Sequence, residues 1–272
     1  MTGKGQTPQL ELGCNYSPQL VSLLHHGRVN VEWIKLSRWS VLAEELAVAR
    51  PLRPVLLHVL PRAGMPPDAL PSLPWTWDEM NEATQACGSP HAALHLASRT
   101  TDWDAAPTDV EVVERMVKLT ALFARKLSAP LLVENVPYFA HWDTLLRRPT
   151  DPEAIWEVCE RTEVGLLLDL AHARVAAYHR GEDVRAYVGA LPLHLVREVH
   201  VSGPGMNPEK GLRDRHQEMQ QDDYNLLEWV LERSAPRVVA LEYGGTGPLF
   251  EWRSDAVSLE RQLRQLRRIC GG

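Results

Sequence analysis

The sequence predicts an α/β protein, a single (β/α)8 TIM barrel running over all 272 residues. Three observations predict it. Six short apolar runs recur at near-constant spacing, and each ends on a histidine or a carboxylate: His58, His95, Glu134, Asp169, His200 and Glu242, separated by 37, 39, 35, 31 and 42 residues. Segments with helical apolar spacing fill the gaps. The runs also lack the polar alternation of a half-exposed strand, as expected when helices cover one face of a sheet and a barrel interior the other.

The elements follow in order. Leu10–Cys14 and Val31–Leu36 read as the first two strands, and the runs ending on His58, His95, Glu134, Asp169, His200 and Glu242 supply the other six. Helices are expected over Pro18–His26, Val41–Arg50, Trp75–Cys87, Asp109–Leu127, Pro152–Arg161, Ala173–Tyr187, Tyr224–Glu232 and Ser254–Ile269. Asp109–Leu127 carries Val112, Val113, Met116, Leu119, Leu122 and Phe123 on one stripe. Thr150-Asp151-Pro152-Glu153 is a helix-start signal, with an N-cap residue followed by proline at the first helical position. Strand–helix alternation implies parallel strands joined by right-handed crossovers. The connections Pro61–Pro74 and Ser202–Arg213 are long, and such loops on the carboxyl side of a barrel build substrate pockets. Trp75, Trp77, Trp103 and Trp142 lie in or beside these loops, either as aromatic walls or as packing that holds the loops down.

Composition narrows the class. With 44% hydrophobic and 24% charged residues, a sizeable core is available. A net charge of -6 and a pI near 6.0 argue against a general nucleic-acid binder. Cys14, Cys87, Cys159 and Cys270 are scattered without a Cys-x-x-Cys pair, which fits reduced thiols and a cytoplasmic address. The start, Met1–Pro8, lacks the apolar centre of a signal peptide, and no run approaches the roughly 20 residues of a membrane span.

The strand ends carry the chemistry. Asp169 and His172 stand three apart at a strand end entering a helix, so both face one site. Asp214 and His216, two apart, share a side if their segment is extended. A lone histidine ending a strand is more often an ordinary core residue, and a lone Asp or Glu there often caps the next helix. Six coincident ends with two companion pairs are another matter, because several carboxylates buried together are unfavourable without cations. The candidate metal ligands are therefore His58, His95, Glu134, Asp169, His172, His200, Asp214, His216 and Glu242. Nine exceed what one ion needs, and two or three ions about 3.5–4 Å apart would use them, with Glu134 and Glu242 as bridges. Imidazole and carboxylate suit iron, manganese or zinc. Glu134, Asp169, His172 and Glu242 are also the candidate catalytic residues.

Other features carry less. His25-His26 lies on a surface helix, while His91, His141, His179 and His194 have no partner pattern. Gly244-Gly245-Thr246-Gly247 reads as a turn, and Arg261, Arg264, Arg267 and Arg268 as the solvated face of a terminal helix. There is no Gly-x-Ser-x-Gly elbow and no phosphate-binding loop.

Glu134-Asn135-Val136-Pro137, Gly165 to His172 and Arg197 to Gly203, with Leu191-Pro192-Leu193 upstream, resemble the multinuclear non-haem iron-dependent oxidative (MNIO) enzymes. The resemblance runs from about Val55 to Glu242. It implies a barrel related to xylose isomerase and two or three irons held by the nine residues above. It also implies use of dioxygen to modify a ribosomally made peptide, frequently at cysteine, often with a separate protein that presents the peptide. Strand two departs from this pattern: Val31-Glu32-Trp33-Ile34-Lys35-Leu36-Ser37 stands where a more acidic, histidine-containing end is expected. The first fifty residues match poorly.

Two other functions use similar parts. The endonuclease IV type of apurinic-site enzyme places His, His, Glu, Asp-x-x-His, His, Asp-x-His and Glu around three zinc ions, and Asp214-Arg215-His216 fits that pattern well. Against it stand the acidic charge and the lack of a basic, aromatic-rich groove for a kinked duplex. A metal-dependent sugar isomerase or epimerase would share the barrel but needs fewer ligands.

Overall fold

A computed structural model describes residues 10–140, 144–246 and 254–271. Met1–Pro8, His141, Trp142 and Gly247 lie outside the described residues.

Eight parallel strands form a nearly closed barrel: β1 (Glu11–Asn15), β2 (Trp33–Leu36), β3 (Val55–Leu57), β4 (Ala92–His95), β5 (Leu131–Glu134), β6 (Gly165–Asp169), β7 (Val196–Val201) and, after a two-stranded insertion of β8 (Gly203–Asn207) and β9 (Gly211–Gln217), β10 (Val238–Leu241). They pair in the order β3-β2-β1-β10-β7-β6-β5-β4. The two ends meet just beyond β3, where Ala63 donates its amide to the His95 carbonyl at 2.8 Å and Gly64 to Ala97 at 2.9 Å. The predicted barrel is present.

Helices α1 (Pro18–His25), α2 (Leu42–Ala49), α3 (Trp77–Cys87), α4 (Asp109–Lys126), α5 (Pro152–Thr162), α6 (Leu170–Arg180), α7 (Val184–Gly189), α8 (Gln221–Leu231) and α9 (Ala256–Ile269) lie between the strands. The large apolar core fills the space between helices and sheet. Two small apolar clusters stand apart from it: Trp33, Leu56, Val238 and Ala240, and Ala93, Leu132 and Leu167. Alternation along the strands assigns both to the barrel interior.

Three expectations change. The helix expected over Ala173–Tyr187 is two, because Gly181 ends α6 in the left-handed conformation and Asp183 caps α7 by accepting from the Ala186 amide. The connection expected as a loop over Ser202–Arg213 is the hairpin β8–β9, antiparallel and paired with no barrel strand. Asp151 sits at the N-cap of α5, but its side chain accepts no amide from the helix, because Arg147, Arg148 and Arg180 gather on its carboxylate.

Trp75, Trp77 and Trp103 pack loops and stand away from the cavity at the barrel mouth. Trp75 is buried and meets Trp39, Trp77 and Phe123 at ring distances of 6.2, 5.7 and 6.3 Å. Trp103 donates its indole N–H to Ser98 at 3.0 Å beneath the Arg115 guanidinium. On α9, Arg261, Arg264 and Arg267 pair with Glu218, Glu260 and Glu32, as a solvated face does.

Candidate metal centre

Side chains two apart on a strand share a face. Leu56, Ala93, Leu132, Leu167 and Ala240 point into the barrel, and two residues further on each strand brings His58, His95, Glu134, Asp169 and Glu242 to the mouth. The apolar floor and ionisable rim are thus one pattern, written by the pleat. Register aligns neighbours across the rim: His95 lies opposite Glu134, and Asp169 opposite His200.

The structure brings all nine predicted residues together. His58 Nε2 and His95 Nε2 stand 3.1 and 3.2 Å from Glu134 Oε2, and 3.4 Å from each other. Donor atoms held about 2.0–2.2 Å from one ion lie roughly 3.0–3.5 Å apart in octahedral or tetrahedral geometry, so this triangle has the dimensions of a coordination site. On the other side of Glu134, its Oε1 is 3.6 Å from His200 Nδ1, which also faces Asp169 Oδ2 at 4.0 Å and Glu242 Oε1 at 3.5 Å. At the edge, Asp214 Oδ2 lies 3.1 Å from His216 Nε2 and 3.4 Å from His172 Nε2, while His216 Nδ1 lies 3.3 Å from Glu242 Oε2. The hairpin is what carries Asp214 and His216 over the mouth, with His216 in the left-handed conformation at φ 46°.

Buried oxygens without hydrogen-bond partners test whether a cation belongs here. Glu134 Oε2, Asp169 Oδ2 and Asp214 Oδ1 are such atoms. Leaving three carboxylate oxygens unsatisfied is costly unless something else satisfies them. Asp169 is both cap and candidate ligand: Oδ1 accepts from the His172 amide at 2.7 Å and starts α6, leaving Oδ2 for the centre. The residues present fit a metal.

Four participants escaped the reading of strand ends. Glu198, two residues before His200 on the same face, accepts from His200 Nε2 at 2.9 Å and from buried His91. His91 thus has a partner, and the period-two rule applied backwards from His200 points to Glu198. Asn135 accepts from the Asp169 amide at 2.8 Å and donates back to the Asp169 carbonyl at 2.9 Å; its own carbonyl accepts from His172 Nδ1 at 2.9 Å, turning Nε2 toward Asp214. Lys35, fully buried, pairs with Glu242 and stands 3.4 Å from His200 Nδ1.

The electrostatics follow from crowding. Burial first, then the charges of Glu242, Glu134 and Asp214, push Asp169 up to about 7 against the pull of His172. Burial and the Lys35 charge bring His58 down to about 4, a neutral imidazole with a free lone pair. His200 rises to about 10 although burial and Lys35 oppose it, because Glu242, Glu134 and Glu198 surround it. Carboxylates that draw protons onto imidazoles in this way are sites where a metal ion would displace those protons.

The mouth opens into a cavity of about 750 Å³ whose wall beyond the centre includes Pro61, Arg62, Met65, Arg99 and Leu145. Trp75, Trp77 and Trp103 do not line it. Among the described residues no helix is long and apolar enough to cross a membrane.

Comparison with known proteins bears on the fold and the family. A UPF0276 protein of Bordetella pertussis is 30% identical over 131 residues, which is 46% of this chain and 45% of that protein. The chain spans about half the length of the curated relatives it matches. Among solved structures, the IOLI protein with a binding zinc atom covers 96% of this chain and 98% of its own at 13% identity and a TM-score of 0.65. Endonuclease IV from Thermus thermophilus covers 95% and 99% at 19% identity and a TM-score of 0.58. At such identities these two show the fold alone, a xylose-isomerase-like barrel. A family model described as RiPP precursor modification enzyme MbnB/TglH/ChrH matches residues 75–263. That match takes in more than half of the sequence, and with it the chain belongs to the MbnB/TglH/ChrH family, the MNIO group that its strand-end motifs resemble.

Proposed function

We propose that this chain, acting as one barrel domain, is a multinuclear iron enzyme that uses dioxygen to modify a ribosomally made peptide, at a cysteine in the first instance. Membership of a family of RiPP precursor modification enzymes supports the peptide. The observation that carries the metal is the convergence of nine donor side chains around three buried carboxylate oxygens that lack hydrogen-bond partners. In this reading His58, His95, Glu134, Asp169, His172, His200, Asp214, His216 and Glu242 would hold the ions, with Glu134 turning Oε2 toward His58 and His95 and Oε1 toward His200. Bound iron would supply one-electron chemistry with dioxygen and a Lewis acid for a thiolate.

The protein's own part is positioning. Glu198 and the Asn135 carbonyl each hold the outer nitrogen of a ligand imidazole, which fixes tautomer and aim. The apolar floor of Leu56, Ala93, Leu132, Leu167 and Ala240 keeps water from beneath the centre. The cavity is large enough for a peptide segment, with Arg62 and Arg99 at its wall. Arg62 is held by Asp102 at 2.6 and 2.7 Å, so it is a fixed part of that wall. The reading includes a cytoplasmic address and a separate protein that presents the peptide.

Zinc or manganese fits the same donors, and endonuclease IV shares the barrel. The test is therefore direct. Chain purified anaerobically and loaded with ferrous ion is mixed with short cysteine-containing peptides, sought first among the reading frames that neighbour its own. We expect oxygen uptake that requires the peptide and a changed peptide mass, both lost when the cysteine is serine. An inert peptide together with incision of abasic DNA by the zinc-loaded chain would assign the barrel to the repair chemistry instead.

A further inference from the structure

The alternation that sets floor and rim along β4 continues past the end of the strand. Ala93 belongs to the interior cluster and His95 to the rim, and Ala97 and Arg99 line the cavity beyond them. Leu96 packs in the large core instead, and Ser98 accepts from the Trp103 indole at 3.0 Å. Arg99 is extended, at φ -114° and ψ 153°, and its backbone is tied down. Its amide donates to Asp102 Oδ2 at 2.7 Å. On either side of it, Leu146 donates its amide to the Ser98 carbonyl and Thr100 to the Thr144 carbonyl, both at 2.8 Å. The head of the side chain is different. The exposed Arg99 guanidinium makes no ion pair and donates no hydrogen bond among the described residues.

The acids nearby are already occupied. Both oxygens of buried Asp102 hold Arg62, and one of them also takes the Arg99 amide. Arg115 donates to the Asp102 carbonyl at 2.7 Å and lies over the Trp103 ring. The acids that line the cavity, Glu134, Asp214 and Glu242, turn toward the imidazoles of the centre. Pro61, Met65 and Leu145, which complete the wall, are apolar.

We propose that Arg99 is the anion subsite of this cavity, receiving a carboxylate of the substrate and so selecting a peptide with an acidic group close to the residue that is modified. The inference rests on the peptide reading above and narrows its substrate class. A guanidinium binds a carboxylate through two parallel N–H···O bonds, a geometry that a diffuse positive surface does not offer. Because the backbone of Arg99 is fixed, binding orders side-chain torsions alone. Four residues separate Arg99 from His95, at most about 14 Å of chain. The acidic group therefore lies within about four extended residues of the group held at the centre. An Asp or Glu side chain and a chain-terminal carboxylate offer the same two oxygens, and the experiment separates them.

The test reads binding, not turnover. The full chain is loaded with zinc, which has no redox chemistry. Three peptides carrying an uncharged dye are titrated against it by fluorescence anisotropy: acetyl-Ala-Ala-Cys-Ala-Glu-Ala-amide, the same peptide with Gln for Glu, and the Gln peptide ending in a free carboxylate. We expect wild type to bind one or both acidic peptides about 5–10-fold more tightly than the neutral one, the tighter of the two naming the source. Arg99→Gln is expected to bind all three equally, at the affinity of wild type for the neutral peptide. Arg185→Gln, which removes an equal charge from exposed α7, is expected to keep the full preference. Equal wild-type affinities for all three, or a preference that survives in Arg99→Gln, overturns the inference and leaves the peptide reading intact. Binding of none of the three counts against that reading and takes this inference with it. Should Arg99→Gln fail to fold, Arg99→Met, which keeps most of the stem without the charge, takes its place with the same two outcomes.

Discussion

His200 faces the centre through Nδ1 because its other nitrogen is already committed to Glu198 at 2.9 Å, and Glu198 is in turn held by buried His91. Burial alone would raise the Glu198 carboxyl, yet the charges and hydrogen bonds of His91 and His200 hold it well below the usual carboxylate range. It therefore stays ionised and makes the imidazole a stronger donor toward a metal. Glu198→Gln keeps the shape and one acceptor but removes the charge. Outer partners of this kind are worth about 10–100-fold in metal affinity. We expect the Gln variant near the lower end, about tenfold weaker in competition against a chelating dye, with the thermal midpoint of the metal-free protein little changed. A variant whose midpoint falls while its metal affinity holds would make Glu198 a packing residue instead. The arrangement was within reach of the sequence, since Glu198 precedes His200 by two. Lys35 was visible there only as a departure, because nothing in a strand's composition says what its inward residue will meet across a barrel.

Elements were legible where one rule governed them. The barrel strands follow from buried runs, and α3 and α4 begin where Thr76–Glu79 and Thr108–Glu111 form capping boxes. The hairpin β8–β9 escaped because its strands carry Gly203, Pro204, Gly205 and Asn207 and later a run of charged residues, with no apolar face to read. What forms it is local: the Asn207 side chain accepts from the amides of Glu209 and Lys210, at 3.0 and 2.9 Å, and closes the turn. Gly211 then takes φ 70°, and a Cβ there would come 2.7 Å from Tyr178. Gly211→Ala should cost about 1–2 kcal/mol, which corresponds to roughly 5–30-fold more frequent opening of the hairpin. Hydrogen exchange reads it: amides of β8 and β9 should exchange faster by that factor while those of β4 to β7 keep wild-type rates. Equal acceleration in the barrel would mean that Asp214 and His216 are not carried by an independent unit.

At the scale of the whole molecule the four thiols report on opening, because they are spread over it and none reaches the surface. Cys14 lies on β1, Cys87 ends α3, Cys159 lies within α5, and Cys270 follows α9; all four are free and buried. Burial pushes Cys87 and Cys270 up to about 11, Cys159 up to about 12, and Cys14 further still. Reaction with a thiol reagent needs the thiolate, so the native chain should label slowly at pH 8 and at one common rate, that of global opening. The same shifts set a direction for stability. The ordinary thiol value is 9.0, and the folded values lie above it. Above pH 9 the unfolded chain releases protons that the folded chain keeps. The contribution of these groups is therefore fully present below pH 9 and is lost as pH rises toward 12. Denaturant midpoints measured on metal-free protein should fall between pH 9 and pH 11, and replacing Cys14, Cys87, Cys159 and Cys270 by alanine should flatten that fall while lowering stability at pH 7. Fast labelling of one cysteine ahead of the other three would show that its neighbourhood opens by itself, and that the barrel and its helices do not unfold as a unit.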